Sequence, residues 1–139
     1  MEFAIEARSK RAKEFLEHMV PEMIDQLGLS RYNKALLIRV EKTVDSEDSE
    51  GVTVPLPGIG AIVVAIKSTR DLAKMGSTIA HEMVHVKQIA SGKLKAGSRS
   101  IMWNGRKYRP STPYLSRPWE VEAFQKQELI FRRAIEKHS

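Results

Sequence analysis

Cysteine is absent from this 139-residue chain. That excludes disulfides, thiolate metal ligands and cysteine nucleophiles together. Any metal must therefore be held by imidazole and carboxylate, and any strong nucleophile must be a hydroxyl, an amine or an activated water. No apolar run approaches the roughly eighteen residues a membrane helix needs, so no membrane partner is expected. The opening Met1-Glu2-Phe3-Ala4-Ile5-Glu6 carries two acids and no continuous apolar stretch. It does not read as a secretory signal, and the expected location is the cytoplasm. Repeats, low-complexity tracts and interior linkers are also lacking, which implies one domain over residues 1–139. Aromatic residues make up only 6%, and no aromatic-interleaved RNA motif or zinc-finger spacing accompanies the basic residues.

What is present suits one globular core: 42% of residues are hydrophobic and 29% charged. The net charge of +6 is concentrated at 93–117 and 132–137. It describes a solvated basic surface, or one that attracts nucleic acid or an acidic partner; charge alone supports the nucleic-acid reading. Apolar residues from Ala12 to Leu27 recur at helical spacing, with a kink or restart expected at Pro21 and a stop at Gly28. Residues 35–40 and 61–66 read as strands. Residues 45–51 form an acidic loop whose spacing matches no EF-hand, and Pro55, Pro57, Gly58 and Gly60 imply irregular chain. A second helix is expected over 69–90 and a hairpin over 100–109, turning at Asn104-Gly105. A last helix should run from Pro118 to about Lys137.

The strongest chemical signal is His81-Glu82-Met83-Val84-His85. On a helix, residues four apart share a face, so both imidazoles can reach a single ion. Glu82 projects to the side where an attacking water would lie, and can take its proton while a metal lowers the water's pKa. Chance gives this pattern in roughly one shuffled chain in a hundred. The plain alternative is a polar helical face with two unrelated histidines. Against it, the stripe Leu72, Met75, Ile79, Met83, Val86 and Ala90 lies opposite His81 and His85, together a strongly amphipathic helix.

Catalytic zinc sites use three protein ligands plus water, so a third His, Glu or Asp is required. His18 lies on the first helix and His138 beside the C-terminus, both poorly placed. The last helix opens with Pro118-Trp119-Glu120-Val121-Glu122-Ala123-Phe124, which sets two carboxylates beside a small residue. Tyr108, Arg109, Tyr114 and Arg117 fall between the two helices and are candidates for stabilising an oxyanion or contacting substrate.

An HExxH helix followed by a helix with Glu-x-x-Ala resembles the gluzincin zinc metallopeptidases, among them thermolysin-like enzymes and IrrE-type regulators. HExxHxxQ, the Trp-x-Gly-x-x-Tyr hairpin and Pro-Trp-Glu-x-Glu-Ala are together similar to small phage-associated metallopeptidases. The resemblance spans 78–124. It implies a zincin-like α+β domain in which a small sheet packs on the HExxH helix and a C-terminal helix supplies the third ligand. That ligand maps to Glu120, three residues before Ala123, with Glu122 as the alternative. The family often places Asp or Asn after the small residue to buttress a ligating histidine; here Phe124 stands there.

The implied activity is that of a hydrolase: one zinc held by His81, His85 and Glu120, Glu82 as general base, and a protein or peptide substrate lying along the strand at 61–66. The first rival is a non-catalytic zinc scaffold that binds a protein or nucleic acid, and the second is a purely structural metal site. SprT-like proteases also use HExxH, but with a third histidine and a cysteine-rich module that this chain lacks.

Overall fold

The computed structural model describes residues 1–44, 50–97 and 99–137. The chain opens with a strand not read from the sequence, β1 (Glu2–Glu6), whose Phe3 and Ile5 pack on the core while Glu2, Ala4 and Glu6 stay exposed. Ser9 then caps α1 (Lys10–Gln26), its hydroxyl accepting the Ala12 N–H at 3.1 Å. The expected restart at Pro21 does not occur, and α1 is one element. Pro21 and Glu17 are both exposed, so water can serve the carbonyl left without an amide donor.

Three more strands complete the main sheet: β2 (Ala35–Glu41), β3 (Gly51–Leu56) and β4 (Ala61–Lys67). Their order is β1-β2-β4-β3, with β1, β2 and β4 parallel and β3 antiparallel to β4. Leu36, Ile38, Ile62, Val64 and Ile66 alternate onto the face covered by helices. Two expectations are corrected here. Residues 51–56 are a strand despite Pro55, and the strand at 61–66 has no open edge, because β2 and β3 flank it. The edge strands are β1 and β3. The Lys67 N–H donates to the Glu50 carbonyl at 2.8 Å, which sets the phase of the antiparallel ladder. By alternation, Val52 and Val54 bond to β4, while Thr53 and Pro55 direct their backbone groups outward. Proline is tolerated in a strand only at such an edge. Of the acidic loop read at 45–51, residues 45–49 lie outside the described residues.

Asp71 caps α2 (Leu72–Ala90) by accepting the Lys74 N–H at 3.1 Å, so this helix starts three residues later than expected. A short antiparallel sheet follows, formed by β5 (Leu94–Ala96), β6 (Ile101–Trp103) and β7 (Arg106–Tyr108). Its β6–β7 hairpin turns at Asn104 and Gly105, both at positive φ as a type I′ turn requires. The last helix, α3 (Pro118–Lys137), has the expected bounds. The result is an α+β domain with three helices and two sheets among the described residues, and no helix there is long and apolar enough to cross a membrane.

α2 lies between the main sheet and α3, and every side chain from Ile79 to Val86 is buried. The histidine face is therefore covered by α3 rather than turned to solvent. Gly76 permits this approach, since a Cβ there would overlap the Phe131 ring. Gly76→Ala should destabilise the fold by about 1–3 kcal/mol in urea unfolding, through overpacking. Phe131→Leu in the same chain should recover part of the loss. Equal stability of Gly76→Ala and wild type would contradict this packing.

Candidate metal centre

α2 places His81 and His85 one turn apart, and the first turn of α3 places Glu120 opposite them. One oxygen, Oε1 of Glu120, lies 2.9 Å from His81 Nε2 and 2.9 Å from His85 Nε2, and it accepts the Tyr114 hydroxyl at 3.1 Å. All three residues of the cluster are buried, with Glu120 only 8% exposed. One donor atom from each falls within 4.8 Å of the others, a grouping that could hold a metal ion.

The other ring nitrogens decide whether the donors fit. Gln88 gives its amide N–H groups to the Trp119 carbonyl at 3.0 Å and to Glu122 Oε1 at 3.1 Å. That fixes its orientation and turns its oxygen to His85 Nδ1 at 2.8 Å. Nδ1 must then carry the proton, which leaves the Nε2 lone pair for a ligand. Gln127 Oε1 stands 2.7 Å from His81 Nδ1 and imposes the same tautomer there. Once their Nε2 protons are lost, two imidazoles with Nε2 facing one buried carboxylate form a donor set suited to zinc and related divalent ions.

Phe124, rather than an Asp or Asn, follows Ala123. Phe124 packs edge-on against the His81 ring, with centroids 4.5 Å apart. The acceptor comes from Gln127, one turn further along α3. Gln88 was visible as part of HExxHxxQ, but no role followed from it. Gln127 left only a faint signal: it lies two turns after Glu120, on the same helical side.

Glu122 does not join the cluster. Its carboxylate accepts from Gln88 and from Lys93 Nζ at 3.0 Å, so it braces Gln88. Glu82 is 2% exposed, and its Oε1 accepts the Thr53 hydroxyl at 2.8 Å. Gly51 makes room for it, since a Cβ there would stand 3.0 Å from Glu82 Oε2. Glu82, His85, Glu120, Tyr114 and Arg117 line one cleft of about 320 Å³, walled by Gly51 to Thr53 on β3. Tyr108 is not at this cleft; it packs on Trp119 at 5.6 Å. Arg117 donates to the Thr112 carbonyl at 2.9 Å and lies over the Tyr114 ring. Arg109 and His18 are exposed away from it, and His138 lies outside the described residues.

Without a metal, the cluster holds protons. Burial alone would depress His85, but the hydrogen bond to Glu120 and the charges of Glu82 and Glu120 raise it to about 9. His81 is raised for similar reasons. Burial pushes Glu120 up, but its bonds to both histidines bring it down to about 2. The stability from His85 is complete below its ordinary 6.5 and is lost as pH rises through about 9. That from Glu120 is present above 4.5 and is lost as pH falls toward 2. The metal-free chain should therefore show its highest urea midpoint between these limits and a fall by pH 9; a midpoint still rising to pH 9 would contradict this charge arrangement.

Metal uptake must displace these protons, so affinity should rise with pH. Gln88→Leu and Gln127→Leu should each weaken zinc binding about 10–100-fold in chelator competition, with exposed Gln125→Leu as control. Unchanged affinity in both variants would remove the glutamines from the site. In comparisons with known proteins, no family model, curated protein or solved structure matches this chain.

Proposed function

We propose that the chain is a zinc-dependent peptidase of zincin-like, gluzincin-type construction, acting in the cytoplasm. The carrying observation is a buried His81–His85–Glu120 cluster, whose His85 and Glu120 line a cleft, with a separate carboxylate, Glu82, on the same cleft and outside the cluster. When bound, the ion would polarise the scissile carbonyl and lower the pKa of the attacking water.

The chain's own groups suit the remaining work. Thr53 and the space left by Gly51 hold Glu82 at the cleft wall, where it would take the water's proton and return it to the departing amine. Of the residues considered as oxyanion donors, Tyr114 places its hydroxyl 3.1 Å from Glu120 Oε1. The outward edge of β3 runs beside the cleft, and its free backbone groups at Thr53 suit an extended peptide added as a further strand.

A structural metal site needs a fourth protein ligand. Among the described residues, no fourth His, Cys, Asp or Glu joins the cluster. The regulator reading retains only the basic charge, and no site of its own supports it.

The test is digestion of a proteome-derived peptide mixture by the zinc-loaded chain, read by mass spectrometry. Wild type should generate new termini. Glu82→Gln should lower their rate of appearance by about 10²–10⁴ while keeping its zinc. New termini appearing equally with Glu82→Gln, or none with any preparation, would count against a peptidase.

A further inference from the structure

A second pocket, of about 380 Å³, opens beside the metal cleft and shares Thr53, Ile89, Leu94 and Trp119 with it. The two differ sharply in chemistry. The first is lined by carboxylates, imidazole, phenol and guanidinium. The second lies between the two sheets, with Pro55 and Ile62 on one wall and Ala96 and Ile101 on the other. Among the described residues it contains no acid, and the charges lining it are Lys34, which leads into β2, and Lys95 on β5. Neither lysine has an ion pair among the described residues.

β3 connects the two sites. Its Gly51 to Thr53 stretch walls the metal cleft, and its Thr53 and Pro55 wall the apolar pocket. A peptide paired to the outer edge of β3 crosses the cluster and reaches the apolar pocket about two residues on, at about 3.3 Å per residue. Pro55 has no N–H, so the added strand loses its ladder donor there. From that point the segment must be held by its side chains. An apolar pocket rimmed by one lysine from each wall suits a bulky apolar side chain with carboxylates beside it.

We propose that this lysine-rimmed pocket is the specificity pocket of the site, selecting extended peptide segments in which a large apolar residue is flanked by Asp or Glu side chains. The inference rests on the peptidase reading only in taking the occupant to be a peptide laid along β3.

The test uses three fluorescein-labelled peptides: one with a central Phe flanked by Glu, one with Ala for Phe, and one with Lys for Glu. Anisotropy is measured on the zinc-loaded Glu82→Gln chain, so that turnover does not consume them. Replacing Phe by Ala should weaken binding about tenfold or more. Replacing Glu by Lys should weaken it comparably, and Lys34→Glu with Lys95→Glu in one chain should reverse that charge preference. Ala96→Trp, a change at an exposed position, should weaken the Phe peptide and spare the Ala peptide, with thermal unfolding confirming that each variant folds. Equal binding of all three peptides, no binding of any, or an unreversed charge preference overturns the proposal. Selective binding with no cleavage by wild type keeps the pocket and removes the peptidase. Cleavage by wild type that ignores Phe and Glu does the opposite.

Discussion

Burying His81, His85 and Glu120 between α2 and α3 imposes a constraint that reaches well beyond these residues, because every polar atom taken out of water there needs a partner. The histidines use one face of their rings on Glu120 and the other on Gln88 and Gln127. Gln88 then needs acceptors for its amide, and finds them in the Trp119 carbonyl and Glu122. Glu122 needs a cation, supplied by Lys93 just past the end of α2. The polar network thus ties the start of α3 to the whole second half of α2. Gly76 and Phe131 fix the spacing of the same two helices further along.

This arrangement separates two kinds of carboxylate. Glu120 is committed to the imidazoles and strongly favours its charged form. Glu82 follows His81 in sequence but points to β3, where Thr53 bonds one oxygen. Its position depends on an edge strand approaching closely enough that Gly51 has no room for a side chain. The same edge turns the backbone groups of Thr53 outward beside the cleft. Sheet topology therefore sets the orientation of Glu82 and leaves an outward strand edge beside the cleft.

Much of this was legible in the sequence. His81 and His85 could be paired because helical geometry fixes the four-residue spacing, and Asn104-Gly105 announced its hairpin because few residue pairs accept positive φ in succession. The start of α3 followed from Pro118, which suits a first helical position. The sheet was harder to read. β1 alternates but is only five residues long at the start of the chain, β3 carries Pro55, and β5 is three residues long, so none stands out as a strand. Which strand forms the edge depends on pairing over long sequence distances, so residues 61–66 were given an open edge that belongs to β1 and β3. The Gln127 contact crosses between helices from a position 46 residues away, and only its helical phase with Glu120 sets that glutamine apart from the exposed Gln125.

The central claim is that His81, His85 and Glu120 together hold one metal ion, with Glu122 outside the set. Zinc content by elemental analysis, on wild type beside Glu120→Ala and Glu122→Ala, tests it most directly. The account predicts about one zinc per chain in wild type and in Glu122→Ala, and clear loss in Glu120→Ala. A wild-type chain that takes up no zinc, or one whose zinc survives Glu120→Ala and is lost in Glu122→Ala, would contradict it.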